Sequence, residues 1–358
     1  MGAFAEVGAW PGLLGELSAG RDLSAATCRA ALERVLAGEA TDAQIAAFIV
    51  ALRMKGEAVD EVVGLVGAML DAALPLELDD PAATIDLVGT GGSTALSGRA
   101  FNVSTMASLV AAAAGATVCK HGNRKASSTS GSTDLLEALG VEVELDGPAV
   151  AACVREAGVG FAFARVFHPC MRHVAPVRTE LGIPTVFNVL GPLSHPGGVA
   201  RQVLGVSDPR LMDLVPGVLR RRGLDHAWVV HGSDGLDELT TTGPTRVVVL
   251  RAGELHEHEV TPESVGLARA DIEDLAVGDP AANATVARSV LQGEPGPLRD
   301  MVLLNAAAGL VVADLVEDLA AGVQRAAAAV DDGSALRVLG ELVAVSRAGI
   351  AAAGDDEG

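Results

Sequence analysis

The sequence predicts an α/β fold: a small, all-helical N-terminal domain and a larger α/β domain with a mostly parallel central sheet covered by helices. Two observations support it. Residues 1–80 show helical apolar spacing and no strand-like alternation, whereas apolar strand candidates alternate with helices from Thr84 onward. A chain of 358 residues is long enough for two domains.

Composition narrows the class of protein. Hydrophobic residues make up 49% and charged residues 20%, which excludes intrinsic disorder. The net charge of −20 argues against a general nucleic-acid binder, which needs cations for phosphates. The N-terminus lacks the basic region of a secretory signal, so we expect a cytoplasmic protein. The four cysteines show no CxxC pair and predict neither a disulfide framework nor a zinc site: Cys28, Cys119, Cys153 and Cys170.

The N-terminal segment predicts three clear helices. Leu23–Leu36 has helical spacing, a second helix follows the Thr41 cap and runs to about Lys55, and a third covers Val59–Leu74. Pro75 and the acidic residues after it then form a linker at about residue 80.

Beyond the linker, strand and helix candidates alternate, as in a parallel sheet covered by helices. The strand candidates are Ile85–Val88, Thr117–Cys119, Val141–Leu145, Val159–Ala164, Gln202–Val206 and Ala227–His231. The helix candidates between them are Thr105–Ala114, Ser132–Leu139, Pro148–Ala157 and Pro209–Arg222. A hairpin of Val247–Arg251 and Leu255–Val260 follows, and the chain is helical again from about Ala281. The uncharged stretch Phe101–Cys119 predicts a buried helix and the start of a strand, not a membrane span, because polar residues and Gly115 interrupt it.

Two loops after successive strands suit anions. Gly89-Thr90-Gly91-Gly92-Ser93 follows a strand, and Asn102 to Thr105 then opens a helix whose free N–H groups favour an anion. Lys120 to Ser132 gathers three cations, one histidine, one asparagine and five hydroxyls in a chain poor in cations. Neither is a Walker A or GxGxxG loop. Together they predict a ligand with two phosphate groups.

Three further patterns carry candidate chemistry. Asp237-Glu238 follows a buried strand, and adjacent carboxylates there suit Mg²⁺ bound together with substrate phosphates. Arg178 offers a planar fork that fits a carboxylate. The histidines between His168 and Arg178 are better explained by packing, and His256-Glu257-His258-Glu259 by strand alternation. From these residues alone, the function is that of a Mg²⁺-dependent enzyme acting on a phosphorylated small molecule.

Several of these motifs, in this order, resemble those of anthranilate phosphoribosyltransferases over nearly the whole chain. They are Gly89-Thr90-Gly91-Gly92, Asn102-Val103-Ser104-Thr105, Lys120 to Ser128, Phe187 to Leu193 and Asp237-Glu238-Leu239. The resemblance implies Mg²⁺-dependent transfer of the phosphoribosyl group of phosphoribosyl pyrophosphate (PRPP) to the amine of anthranilate, the second step of tryptophan biosynthesis. It also implies a helical domain of residues 1–80, joined by helices from about 170–195, an α/β domain of residues 81–358, and a homodimer formed through the helical domain.

The resemblance also assigns roles to individual residues. Residues expected to bind the substrates are Gly89, Gly92, Ser93, Asn102, Val103, Ser104, Thr105, Lys120, His121, Gly122, Asn123, Arg124, Lys125, Ala126, Ser127, Ser128, Ser132 and Arg178. Lys120, Asn123 and Arg178 are the expected catalytic residues, with Gly89, Asn123 and Arg178 facing anthranilate. Ser104, Asp237 and Glu238 are the expected Mg²⁺ ligands. No nucleic acid and no membrane is expected as a partner.

The sequence departs from the family pattern at a few positions. Ser93-Thr94 replaces an Asp-Gly pair and begins a longer link to Asn102, Thr129 replaces a common Lys, Arg165 replaces a Pro, and His195 replaces an Asn. Three alternatives stay open: a divergent paralogue with another aromatic acceptor, a pyrimidine nucleoside phosphorylase, and a non-catalytic nucleic-acid-binding relative. The acidic balance opposes the last one.

Overall fold

The N-terminal part of the chain is helical, as the sequence predicts. The structure is a computed structural model that describes residues 2–93, 95–124 and 131–355. Its first helices are α1 (Ala3–Glu6), α2 (Ala9–Ser18), α3 (Ala25–Leu36), α4 (Asp42–Lys55) and α5 (Val59–Asp71). Side-chain capping fixes the N-termini of two of these helices. Ser24 accepts the N–H of Thr27 at the start of α3, and Thr41 and Gln44 form a reciprocal capping box before α4.

The larger part of the chain contains a seven-stranded sheet within the described residues. Its strands are β1 (Ile85–Gly89), β2 (Val118–Gly122), β3 (Val159–Phe163), β4 (Arg201–Gly205), β5 (His226–Gly232), β6 (Thr245–Arg251) and β7 (Glu254–Val260). The predicted hairpin is therefore confirmed, as the β6–β7 pair. The fold class is also confirmed: β1 to β5 pair in parallel, and β6 and β7 are antiparallel additions.

The strand order β3-β2-β1-β4-β5-β6-β7 places the candidate site. The chain leaves β1 toward β2 on one side and returns to β4 on the other, so the order reverses between β1 and β4. Open α/β sheets bind ligands at such a switch point, in the crevice outside the carboxyl ends of the strands. The glycine-rich loop after β1 lies at this point.

Helices cover both faces of the sheet, and the strands bury alternate side chains toward each. Leu87 and Val203 belong to the core on one face, and Val88 and Leu204 belong to the core shared with the N-terminal helices. The remaining helices are α6 (Val103–Ala113), α7 (Ser132–Leu139), α8 (Gly147–Ala157), α9 (Ala164–Phe167), α10 (Ala175–Leu181), α11 (Phe187–Leu193), α12 (Leu211–Arg222), α13 (Pro280–Leu291), α14 (Pro297–Val312), α15 (Leu319–Asp331) and α16 (Ser334–Asp355).

Two of these helices lie against the N-terminal helices. α10 contacts α4, and α11 contacts α5, so the segment before β4 packs on the helical part of the chain. The exact division into domains stays a prediction. No helix in the described ranges is long and apolar enough to cross a membrane, and Phe101–Cys119 contains α6 and the start of β2 instead.

One predicted strand, Val141–Leu145, is wrong. Alternate side chains of this segment are buried, which produced the pattern, but its backbone groups do not pair with a strand. The N–H of Glu142 donates to the Ser346 hydroxyl of α16, and the N–H groups of Val143 and Glu144 donate to the Glu142 carboxylate. The segment is an extended connection under α16, because period-two burial reports packing and not the hydrogen-bond partner.

Candidate active site

The glycine-rich loop after β1 is tied to the end of β4. The N–H of Thr90 donates to Gly205 O at 2.9 Å, and the Ser207 hydroxyl donates to Gly91 O at 2.7 Å. Gly91 and Gly92 have φ values of +64° and +82°, a left-handed backbone that favours glycine. The loop is therefore fixed from its base, while Gly91, Gly92 and Ser93 remain at the surface.

The acidic pair predicted to bind Mg²⁺ lies directly beside this loop. The carboxylate of Asp237 accepts the N–H of Gly91 at 2.6 Å, across 146 residues of sequence. Two glycines make the approach sterically permissible. A Cβ on Gly89 would lie 2.2 Å from Asp237 Oδ2, and one on Gly205 would lie 1.7 Å from the Asp237 carbonyl oxygen. The first loop and the acidic pair thus form one site.

The acidic pair lies near the Lys120 ammonium but forms no ion pair with it. Burial raises the pKa of Glu238 to about 8, and the charge of Asp237 acts in the same direction. Burial also raises the pKa of Asp237, against the opposing effect of the Gly91 N–H. No group of three or more His, Cys, Asp or Glu side chains in the described residues could hold a metal ion. A magnesium ion here would need further oxygens, and substrate phosphates are its usual additional ligands.

Helix α6 brings its N-terminus to the same place. It begins at Val103, two residues before the predicted start, so Asn102 to Thr105 span its cap and first turn. The side chain of Asn102 makes no capping hydrogen bond, and the backbone N–H of Ser104 approaches the Glu238 carboxyl. The N–H groups of Asn102, Val103 and Ser104 already meet Asn283 Oδ1, Phe101 O and the Glu238 carboxyl, so the phosphate role of this segment stays a prediction.

Strand β2 carries Lys120 and His121 into the interior below the loops. Lys120 is 2% exposed, and its ammonium donates to Leu87 O. Burial lowers the pKa of Lys120, while the nearby negative groups Asp86, Glu238 and Asp237 raise it. The lysine thus lies among acids without forming an ion pair to any described residue. Of the predicted phosphate-binding cations that the structure describes, Lys120 and Arg124, only Lys120 lies beside the acidic pair.

The basic loop itself is closed by Ser132. The Ser132 hydroxyl accepts the N–H of Asn123 and donates to the Asn123 carbonyl, both at 3.1 Å. A Cβ on Gly122 would lie 2.4 Å from this hydroxyl, which explains the glycine. Asn123 is exposed at the loop entrance. The hydroxyl of Ser132, predicted to bind substrate, therefore has a local structural use as well.

Arg124 has a different environment from the one its predicted phosphate role suggests. Its guanidinium pairs with Glu137 at 2.6 Å and Asp134 at 3.3 Å, and it lies over the Phe163 ring. In this arrangement its positive charge is already compensated. The predicted site residues Lys125, Ala126, Ser127 and Ser128, and the departures Thr94 and Thr129, lie outside the described residues.

Arg178 is a half-buried arginine on α10 without an acidic partner. Its guanidinium lies over the Phe187 ring, 5.6 Å from the centroid, and burial lowers its pKa. Across residues 2–93, 95–124 and 131–355 it forms no ion pair, so the neighbouring Glu180 does not compensate it. A desolvated, uncompensated guanidinium is suited to receive an anion from outside the chain.

The structure adds a buried polar network that sequence reasoning missed. In the middle of β1, the carboxylate of Asp86 accepts the N–H of His121 at 3.1 Å and the Gln202 side-chain amide at 3.0 Å. Gln202 also donates to Pro192 O, and His121 Nδ1 lies 2.9 Å from Gly191 O. The end of α11 thereby holds β2 in place, which gives the Phe187–Leu193 motif a role. The available signal was an Asp between apolar residues of a buried strand.

Two departures from the family pattern lie in different surroundings. His195 is buried, and its Nε2 bonds Cys119 O at 2.8 Å, so it supports β2 from inside the core. Arg165 is exposed on α9, immediately after the carboxyl end of β3, and has no ion-pair partner in the described part of the chain. Of these two residues, Arg165 is the one that a ligand can reach.

Comparison with known proteins first defines the class. Residues 81–336 match the sequence profile described as "Glycosyl transferase family, a/b domain", and residues 11–73 match the helical bundle domain of the same family. The two matched regions correspond to the sheet with its covering helices and to the N-terminal helices. The chain therefore belongs to this glycosyl transferase family.

Individual relatives identify the family more closely. The anthranilate phosphoribosyltransferase of Parvibaculum lavamentivorans is 51% identical over 334 residues, covering 93% of this chain and 96% of the relative. The crystal structure of anthranilate phosphoribosyltransferase from Thermus thermophilus superposes with a TM-score of 0.87 at 44% identity, covering 94% of this chain and 99% of that one. The Saccharomyces cerevisiae enzyme in complex with PRPP and Mg gives 0.86 at 28% identity, covering 95% and 98%. The chain belongs to the anthranilate phosphoribosyltransferase family.

Proposed function

We propose that this protein transfers the phosphoribosyl group of PRPP to the amine of anthranilate and releases pyrophosphate, in a Mg²⁺-dependent reaction of tryptophan biosynthesis. The observation that carries the proposal is the half-buried Asp237–Glu238 pair, whose Asp237 carboxylate is hydrogen-bonded to the glycine loop at the switch point of the sheet. The relatives named above support the two substrates, and the yeast complex supports the metal.

The reaction breaks the bond between C1 of the ribose and pyrophosphate and forms a bond from C1 to the anthranilate nitrogen, which then loses a proton to solvent. Carbon C1 becomes oxocarbenium-like, so the enzyme's task is positioning and charge stabilisation. An aromatic amine is neutral near pH 7 and needs no general base before attack. This agrees with the absence of a nucleophile–base pair in the motifs of the sequence.

The residues of the chain divide this task. The glycine loop and the start of α6 would hold phosphate oxygens through N–H groups, and Lys120 would add positive charge from below. Ser104, Asp237 and Glu238 would hold Mg²⁺, because a half-buried acid pair that forms no ion pair with a protein cation suits a divalent ion. When bound, the ion would supply charge that neutralises the pyrophosphate leaving group. Gly89 and Asn123 would face the acceptor.

The local positive charge matters in so acidic a chain. A net charge of −20 repels an anionic substrate at long range, so the basic loop after β2 would supply the local field that attracts PRPP. We also propose a homodimer formed through the N-terminal helices, where Met54 is 83% exposed, and a cytoplasmic location, where the four free cysteines would stay reduced. Sedimentation of the purified protein tests the dimer.

The activity is tested by following phosphoribosyl-anthranilate formation by fluorescence with PRPP, anthranilate and Mg²⁺. Turnover that requires all three is the expected result. Turnover with another aromatic amine and none with anthranilate would replace the proposal with the divergent paralogue. Phosphate-dependent cleavage of a nucleoside would indicate a phosphorylase, and a salt-sensitive DNA complex without turnover would indicate a nucleic-acid-binding relative.

Arg178 is proposed to recognise the acceptor's carboxylate. Charge-assisted hydrogen bonds contribute about 1.5–3 kcal/mol, so Arg178→Ala should lower kcat/KM for anthranilate by roughly one to two decades and leave the KM for PRPP nearly unchanged. Arg178→Lys should rescue poorly, since lysine offers no fork. The matched control is Arg172→Ala, an exposed arginine on the preceding 3₁₀ turn.

Aniline, which lacks the carboxylate, isolates this contact. The parent protein should prefer anthranilate to aniline, and the preference should fall in Arg178→Ala. Arg165→Pro removes the second cation near the acceptor side, and an unchanged preference there would assign the carboxylate to Arg178 alone. A parent protein that accepts aniline as well as anthranilate would contradict carboxylate recognition.

A further inference from the structure

Asn305 is a buried amide on α14, a helix that contributes none of the predicted site residues. It is 2% exposed and lies in a run of apolar residues, Val302 to Ala308, that otherwise packs against the sheet and α6. A buried amide in such a helix costs stability unless its polar atoms find partners. All of its partners are backbone groups, and two of the three belong to one residue, Leu239.

The side-chain amide of Asn305 forms hydrogen bonds with both the N–H and the carbonyl oxygen of Leu239. Its oxygen accepts the N–H of Leu239 at 3.0 Å, and its nitrogen donates to Leu239 O at 2.8 Å. A third hydrogen bond runs from the same nitrogen to Met301 O, one turn earlier in α14, at 2.9 Å. The amide group is thus held in one orientation, and Leu239 is held by it at two points.

Leu239 directly follows Glu238, so fixing its backbone fixes the position from which the acidic pair projects. Glu238, Ser104 and Asn305 also line one small cavity below the pair. On the opposite side, the backbone of Asp237 packs directly against Gly205 of β4. The contact is so close that a Cβ at position 205 would lie 1.7 Å from the Asp237 carbonyl oxygen. The acidic turn is therefore clamped between β4 and α14.

We propose that Asn305 is a positioning residue for the metal pair: it acts through Leu239 to hold Glu238 and Asp237 at the spacing that Mg²⁺ with PRPP requires. This inference rests on the proposed function of the pair as metal ligands. Residues that orient metal ligands without touching the metal commonly change metal affinity by about ten- to hundredfold. Asn305 has this relation to Glu238, because it holds the backbone of the next residue. The amide, and not its bulk, is the feature that matters.

The test is Asn305→Leu, which fills similar space but can neither accept nor donate a hydrogen bond. The Mg²⁺ concentration that gives half-maximal turnover is expected to rise roughly tenfold or more, with the KM for anthranilate unchanged. Asn305→Ser adds no bulk and gives the same readout if the leucine variant does not fold. The matched control is Ser346→Ala, which removes a buried hydrogen bond from α16 to Glu142 far along the chain and should leave the Mg²⁺ requirement as in the parent.

The variant Asp237→Asn with Glu238→Gln separates this inference from the function on which it rests. A changed Mg²⁺ requirement in that variant together with a parent-like requirement in both Asn305 variants would overturn the role of Asn305 alone. An unchanged requirement in the acid variant itself would overturn the metal assignment and Asn305's role with it. A merely structural Asn305 would lower the melting temperature and leave the Mg²⁺ curve in place.

Discussion

Two regions of the molecule each bury a lysine beside carboxylates, and they differ in how well those charges are satisfied. In the N-terminal helices, the Glu61 carboxylate accepts the N–H groups of Leu23 and Ala58 and an ion pair from Lys55. Lys55 also donates to Asp22 and to Gly56 O. We call this group the helical cluster: Asp22, Lys55 and Glu61.

Lys120, Asp237 and Glu238 lie at the carboxyl end of the sheet, and we call them the sheet cluster. Unlike the helical cluster, its lysine and acids form no ion pair with one another. Burial lowers the pKa of Lys120 and raises that of both acids, and Lys120 donates to a backbone oxygen instead of a carboxylate. In the helical cluster, burial lowers the pKa of Lys55, but its hydrogen bonds to Asp22 and Glu61 outweigh this and raise it. Satisfied charges hold the fold together, whereas unsatisfied charges are available for a ligand.

The largest expected effect comes from removing the acids of the sheet cluster. Asp237→Asn with Glu238→Gln should lower turnover by about two to three decades, since metal charge stabilisation is worth several kcal/mol. The free energy of unfolding should change little near pH 7, because burial already keeps the Glu238 carboxyl protonated there and an amide oxygen at position 237 can still accept the Gly91 N–H. Initial rates across a Mg²⁺ titration check the first part and urea unfolding checks the second; an unchanged Mg²⁺ requirement would exclude the pair as ligands.

Neutralising an acid of the helical cluster should instead lower stability and leave activity nearly unchanged. Glu61→Gln removes one of the two carboxylates that meet the Lys55 ammonium and leaves Asp22 as the other, so it should cost less than the about 3–5 kcal/mol of a fully broken buried pair. We expect a lower free energy of unfolding in urea and, at a temperature where the variant stays folded, nearly parental kcat and KM values. Loss of turnover in the folded variant would show that the two clusters are not functionally separate.

The two lysines provide the next comparison. Lys120→Met should weaken PRPP binding by roughly one to two decades, as expected for losing a charge-assisted contact of about 1.5–3 kcal/mol. Lys55→Met should lower stability and leave PRPP affinity unchanged. Isothermal titration with PRPP measures both, and equal PRPP affinity in Lys120→Met and the parent would remove Lys120 from the binding site.

The smallest effect is a pH dependence of the metal-free protein. The pKa of Glu238 is raised from 4.5 to about 8, so the folded state keeps a proton that the unfolded chain has released. Stability should therefore fall as pH rises between these values, by about 1 kcal/mol or more, and Mg²⁺ should restore more of it at about pH 9 than at about pH 6. Calorimetry at both pH values measures this, and Glu238→Gln should flatten the difference.

The contrast between the clusters also marks how far sequence reasoning reached. The glycine loop, the acidic pair and Arg178 were predicted as candidate site residues because each combines an unusual residue type with the end of a predicted strand or the start of a helix. Asp86, Gln202 and Asn305 were not, because a single polar residue in an apolar run does not reveal which backbone group it meets. The hydrogen bonds that join them to His121, Asp86 and Leu239 span 35 to 116 residues of the chain.

The wrongly predicted strand at Val141–Leu145 shows that an alternating pattern predicts burial but not strand pairing. Its alternation correctly predicted which side chains are buried, but pairing depends on an adjacent strand, and α16 lies there instead.

Arg124 shows that the sequence does not reveal which acids will compensate a basic residue. Its place in a basic loop suggested phosphate binding, whereas the acids that compensate it, Asp134 and Glu137, come from the next helix and only folding brings them close.

Strand β7 has a consequence for the behaviour of the protein in solution. It forms one edge of the sheet, so one side of its backbone is unpaired, and an exposed edge is a template for strand addition by another molecule. Five of its seven residues are glutamate or histidine: Glu254, His256, Glu257, His258 and Glu259. A second copy aligned against this edge would bring exposed carboxylates of the two copies close together. The sheet thus remains open at one side, yet its edge is guarded against aggregation by electrostatic repulsion.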